Sequence, residues 1–204
     1  MHVKALIVFP TAWLLSAPAH ALESVYTPLG HKACKIDKAA STKLPRTHDL
    51  GRPNVYRCAG IADHHVVVIY HGVRVSFELY SPGQAKPFNL ATPYDTGQQM
   101  EWRGTGSARN FVPTAIIVRL SEKIGSVGNI DKLQSVLVVI KLAGGSPCII
   151  GVVDMQANAN ANLLAREAAD SAATTECESS NTIRGIATPY ALELFENNAK
   201  LRKQ

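Results

Sequence analysis

Three groups of side chains in this sequence have the types that chemistry needs. Asp63-His64-His65, with His71 further along, is the densest set of metal-capable groups. If 65–71 is one strand, His65 and His71 share a face but stand about 20 Å apart, at a rise of about 3.3 Å per residue, and cannot hold one ion together. His64 faces the other way. A zinc or copper site would need His31, His48 or a carboxylate to fold in, and ordinary strand-end histidines are the simpler reading. Asp154, Gln156, Asn158 and Asn160 place oxygen groups at every second residue, as a calcium loop does. Such a loop needs Gly where this chain has Ala159 and Glu where it has Ala165, so the pattern fails. Helix capping accounts for the asparagines. Glu101-Trp102-Arg103 sets an acid and a base around a large aromatic. At the surface, Trp102 and Arg103 would suit a glycan or peptide contact. In the interior, Trp102 would anchor the core while its charged neighbours face solvent. Gly104-Thr105-Gly106 lacks the Lys-Ser or Lys-Thr of a phosphate loop, and neither GxSxG nor HExxH occurs. An enzyme reading is left with a dispersed hydrolase site, for which Asp63, His64, His65 and Glu101 are the candidates.

The four cysteines are read through the compartment, and residues 1–21 indicate it. Lys4 gives a positive start, Ala5 to Leu15 an apolar middle interrupted by Pro10 and Thr11, and Ala19-His20-Ala21 the small-x-small pattern before a cut. This predicts a secretory signal peptide cleaved after Ala21. The apolar run is too short for a membrane anchor, which needs about 20 residues. No cysteine sits at the cut, so a lipid anchor is not expected. Residues 134–142 and 148–153 are apolar but short and suit buried strands, so no transmembrane segment is expected after cleavage. A periplasmic or secreted location follows. There, an even set of cysteines reads as disulfides. Cys34, Cys58, Cys148 and Cys177 allow three pairings, and sequence order suggests Cys34–Cys58 and Cys148–Cys177, which close the smaller loops. Each would contribute ~3 kcal/mol. No CxxC is present, so a redox pair or zinc site is disfavoured, and no cofactor or metal is expected.

The charge is unevenly placed. Residues 22–58 hold seven Lys or Arg against three acids, while 59–204 hold thirteen of each. Lys32, Lys35, Lys38, Lys43, Arg46, Arg52 and Arg57 carry the whole excess. Outside the cytoplasm such a segment can meet an anionic envelope polymer, a lipid headgroup or another envelope protein. It can equally be a solvated loop that keeps the chain soluble. Nucleic acid is not an expected partner, because no aromatic interleaving or binding motif accompanies the charge.

The elements that must position these groups follow from periodicity. Residues 22–58 read as an irregular arm tied down by the first bridge. Residues 65–71 and 73–79 read as strands around Gly72, the second with Val73, Val75, Phe77 and Leu79 alternating against polar neighbours. Residues 81–97 carry Pro and Gly and read as loop with one short edge strand. A strand is expected at 100–103 and another after Pro113. The polar stretch 121–132 reads as a loop or short helical turn. The runs 136–142 and 148–154 read as a hairpin. Asn158 or Asn160 is expected to cap a helix over 162–175, with Leu164 and Ala168 on one face and Arg166, Glu167 and Asp170 on the other. A tail helix over 190–202 starts at Thr188-Pro189.

Several landmarks resemble a known group. Tyr26-Thr27-Pro28-Leu29 precedes Cys34, and Cys58-Ala59-Gly60 opens the sheet region. Glu101-Trp102-Arg103, Pro113 to Arg119 and Leu137 to Leu142 follow. Ala159-Asn160-Ala161-Asn162 then runs through Ala165-Arg166 and Ala168-Ala169-Asp170 to Cys177. Over residues 25–177 this resembles a group of uncharacterised small exported proteins of Gram-negative bacteria, with four cysteines. The resemblance implies an exported, disulfide-bearing α+β domain and no reaction.

The expected fold is α+β: an antiparallel sheet of five to seven strands with one packed helix at about 160–175 and a peripheral tail helix. The expected organisation is a leader at 1–21, one stapled domain at 22–178, and a linker with tail helix at 179–204. The expected function is a non-enzymatic binding or interaction module. Its candidate contact residues are Trp102, Arg103, Lys35, Lys38, Lys43 and Arg46, and its partner is an anionic envelope component or a protein. A hydrolase or a metal-handling protein is the alternative. Mass spectrometry of the native product should find a chain that starts at Leu22 with no free thiol. An uncut chain with reduced cysteines would contradict the export reading.

Overall fold

In the computed structural model the described residues are 22–46, 51–72, 74–92, 95–107, 109–126, 129–142, 144–177, 182–193 and 196. Residues 1–21, where the leader is expected, and the end of the tail lie outside them. The elements are β1 (Glu23–Pro28), β2 (Lys35–Ile36), α1 (Lys38–Lys43), β3 (Asn54–Cys58), β4 (His65–His71), β5 (Arg74–Tyr80) and β6 (Phe88–Thr92), then β7 (Asp95–Thr105), β8 (Val112–Ser126), β9 (Asn129–Lys141), β10 (Cys148–Asp154) and α2 (Ala161–Asp170). Among the described residues these strands form two antiparallel five-stranded sheets. The first has the order β1-β7-β8-β9-β10 and the second β2-β3-β4-β5-β6. The chain is therefore α+β as expected, and the antiparallel sheet of five to seven strands occurs twice.

Alternation builds the core between the sheets. Val66, Val68, Val75, Phe77 and Leu79 face inward from the second sheet, and Met100, Trp102, Ile116, Val118, Val138 and Ile140 from the first. Val55, Val67 and Ile69 point out of the second sheet, where Ala40 and Leu44 at α1 cover them. Ala115, Ile117, Leu137 and Val139 point out of the first, where Ala161, Ala165, Ala168 and Ala169 of α2 cover them. Small residues let the helix lie close. A Cβ on Gly151 would stand 3.0 Å from the Ala168 Cβ and 3.1 Å from a Val139 methyl. Every residue of β10 is buried, which accounts for its apolar run from Cys148 to Val153.

Both disulfides join consecutive cysteines. Cys34–Cys58 links the segment before β2 to the end of β3, and Cys148–Cys177 links the start of β10 to the chain beyond α2. Among the described residues no helix is long and apolar enough to cross a membrane.

Three expectations are corrected. The basic arm is regular: it contains β1, β2 and α1, with Asp37 capping α1 by accepting from the Ala40 N–H at 2.8 Å. The 121–132 stretch pairs β8 with β9 from Ser121↔Ser135 to Ser126↔Asn129, held by backbone bonds that need no apolar period. The asparagines do not cap α2 through their side chains. Asn158 instead binds the tail, donating to the Ile186 carbonyl at 2.7 Å and accepting from the Ile186 N–H at 3.0 Å.

The tail docks. Ile183 forms a parallel bridge with Val152, so 182–184 runs along the outer edge of β10. A helical turn starts at Pro189, and Tyr190 and Ala191 are buried in the inter-sheet core. Asp154 holds this strap. Burial would push its carboxyl up, but bonds from the Thr188 hydroxyl and from the Ala157, Thr188 and Gln156 N–H groups outweigh that and keep it below the ordinary 3.8. A depressed carboxyl contributes stability that is present above its unfolded value and lost as pH falls through its folded one. Asp154→Asn should therefore cost about 1–3 kcal/mol in urea unfolding near neutral pH. The gap to wild type should narrow at about pH 3. An equal gap at both pH values would show that the charge is not what ties the tail.

Candidate functional site

β7 splits the Glu101-Trp102-Arg103 triplet across its pleat. Trp102 is 0% exposed and lies between the sheets. Its Nε1 donates to Thr27 Oγ1 at 2.8 Å, and the His64 ring lies 5.8 Å from its own. Trp102 therefore presents no ring to a glycan or peptide, and the contact expected of it is corrected to a core role. Arg103 points out of the opposite face but is only 8% exposed. It grips Asp170 of α2 through Nε and Nη2, both at 2.8 Å, and donates from Nη1 to Ser24 Oγ at 2.7 Å. Its contact role is likewise corrected, because its guanidinium is buried and already bound to Asp170 and Ser24. Glu101 accepts from Arg166 Nε at 2.7 Å and from the Ser24 hydroxyl, and Arg166 also reaches Tyr26 Oη at 3.0 Å. Two charge pairs thus lock α2 to β7, and hydrogen bonds of Ser24 and Tyr26 tie β1 to them.

The histidines disperse. His65 and His71 share the outer face of the second sheet, opposite Tyr80 and Arg74, while His64 faces inward with its Nδ1 3.1 Å from Ser81 Oγ. Burial pulls the His64 imidazole below its ordinary value, and the neighbouring His65 adds to this. His65 stacks on Tyr80 at 6.2 Å. Glu101 lies on the face of the first sheet away from Trp102 and His64. Asp63, His64, His65 and Glu101 therefore do not meet in one cleft, which removes the geometric basis of the hydrolase reading. Among the described residues no three His, Cys, Asp or Glu side chains are grouped to hold a metal.

The basic segment is brought together on an ordered platform. Arg57 Nε pairs with Asp37 at 2.7 Å, and Asp37 is held below its ordinary value by the Ala40 N–H and then by Arg57. Arg52 donates to the Thr42 and Leu44 carbonyls at the end of α1. These two cations serve the fold. Lys32, Lys35, Lys38, Lys43 and Arg46 are exposed, and none forms an ion pair among the described residues. The one acid beside them in β2–α1, Asp37, is already neutralised.

Sequence reasoning missed the partners Ser24, Arg166 and Asp170. The signal available was the charged face predicted on α2, which needed a facing strand edge to become a pair of bridges. No family model, curated protein or solved structure matches this chain.

Arg103→Ala should destabilise the fold by about 2–4 kcal/mol. Asp170 keeps 41% of its side chain in solvent, which screens the pair on that side. Arg103→Lys should recover little, because an ammonium cannot reproduce the two-pronged grip. Thermal unfolding of both variants checks this, and unchanged melting would show that the pair is ornamental.

Proposed function

We propose that this chain is an exported, periplasmic binding module without catalytic activity of its own. Its working surface is the β2–α1 face, and its partner is an anionic envelope component. The observation that carries the reading is the set Lys35, Lys38, Lys43 and Arg46, together with Lys32. These cations stand exposed on a platform fixed by the Cys34–Cys58 bridge, with the adjacent acid spent on Arg57. A cation held on ordered backbone loses less freedom on binding than one on a loose arm. The two disulfides support an oxidising compartment.

Such a surface acts through summed Coulomb attraction, so it must weaken with salt. Screening falls to about 10 Å at 0.1 M and to about 3 Å at 1 M. Each Lys or Arg near an anionic surface is worth about 1 kcal/mol. Changing Lys35, Lys38, Lys43 and Arg46 together to Gln should weaken binding by about a hundredfold or more. Cosedimentation with envelope fractions at low and high salt tests this. Separate arms with anionic lipid vesicles and with isolated anionic wall polymer tell headgroup from polymer. Negligible sedimentation at both salts, or binding that the four changes leave intact, would refute the reading.

A further inference from the structure

We propose that the solvent face of the first sheet carries a second binding site, for a single-chain amphiphile with an anionic head. A groove of about 920 Å³ opens there beside the start of α2. Pockets of about 300–1,000 Å³ are the usual size for small ligands.

Arg119 is the centre of this site. Between Thr96↔Leu120 and Met100↔Val118 the register of β7 and β8 shifts, so Gly97, Gln98 and Gln99 bulge opposite Arg119 alone. Bulges of this kind re-aim side chains beside functional sites. Gly97 makes room for the cation, because a Cβ there would stand 2.9 Å from the Arg119 Cβ. Arg119 Nη2 donates to Ser135 Oγ at 3.1 Å, which orients the guanidinium and leaves other donors open.

Of the two acids that line the groove, Glu101 is paired with a cation and Asp95 is hydrogen-bonded on the side of Tyr70. Glu101 answers Arg166 and Ser24, and Asp95 accepts from Tyr70 Oη at 3.1 Å and from the Thr96 N–H at 2.8 Å. Arg119 forms no ion pair among the described residues. Lys32 adds a second cation at the rim. An anionic head with several acceptor oxygens would complement these two cations.

The walls supply the other half of the recognition. Tyr26 and Leu133 are 48% and 45% exposed, unusual for such large apolar groups beside a charge, and both line the groove. Met155 and the edges of Ile117 and Leu137 extend the apolar lining. A free inorganic anion would leave this surface wet, whereas a hydrocarbon chain would cover it. Arg119 and the apolar walls lie apart from Lys35, Lys38, Lys43 and Arg46, so this site shares only Lys32 with the reading given for that face and does not otherwise depend on it.

Titration calorimetry on the mature, disulfide-bonded chain tests the proposal, with probes below their micelle concentrations. Dodecanoate and dodecyl phosphate should bind saturably with one site, and the tighter of the two names the head. Decanoate should bind severalfold more weakly than dodecanoate, through the lost methylenes. Arg119→Gln should weaken dodecanoate at least tenfold while keeping the wild-type circular dichroism, and Leu133→Asp, a change at an exposed position, should do the same. Lys35→Gln with Lys38→Gln and Lys43→Gln should leave it unchanged. The proposal fails if neither anionic probe binds, if dodecyltrimethylammonium binds as well as dodecanoate, or if folded Arg119→Gln binds like wild type.

Discussion

The first sheet buries apolar side chains on both of its faces, and the arrangement of the other elements follows from that. Met100, Trp102, Ile116 and Val138 pack toward the second sheet, while Ala115, Ile117, Leu137 and Val139 pack toward α2. A sheet covered twice cannot use simple polar–apolar alternation in its central strands, and β8, β9 and β10 show long apolar runs. The helix that covers the outer face must sit close, so its contact side is alanine and the strand beneath it contains Gly151. Close packing with small residues gives little area per residue. The helix is therefore also held by the Arg103–Asp170 and Arg166–Glu101 pairs and by the Cys148–Cys177 bridge.

The helix covers only part of that outer face. Beyond its first turn the surface continues as the groove around Arg119, where β7 bulges and the exposed walls are Tyr26 and Leu133. On the other side of the molecule, α1 and the basic platform cover the outer face of the second sheet through Ala40 and Leu44. Arg119 and the set Lys35, Lys38, Lys43 and Arg46 therefore lie on opposite layers of the sandwich, with Lys32 at the rim of the groove. One carries exposed lysines on β2 and α1, and the other is a groove with partly apolar walls.

Much of the fold was legible where one physical pattern dominated. Val75, Phe77 and Leu79 alternate with polar residues because one face of β5 is solvated. The consecutive cysteines pair because nearby partners meet first. The alanine-rich helix announced itself by composition. Legibility ended where the cause was tertiary. Nothing local marks 121–132 as strand, because the β8–β9 ladder there is held by backbone bonds. Lys38 to Lys43 is too short and too polar to show a period, and becomes helical over Val55, Val67 and Ile69 with Asp37 as its cap. Arg119 looks like any polar position on a strand. Its environment is created by a bulge in a different strand and by Gly97, which sequence alone reads as a loop glycine. Trp102 posed a two-way choice that only the pleat of β7 resolves.

The covalent topology has a consequence for how the chain matures. The loop closed by Cys34 and Cys58 ends long before the loop closed by Cys148 and Cys177 begins, so the two rings are neither nested nor interlaced. A polypeptide emerging amino end first into an oxidant can seal the earlier ring while the later thiols are still absent. Cys58 then meets Cys34 as its one free thiol, and Cys177 later meets Cys148. Oxidation in that order would give the native connectivity directly.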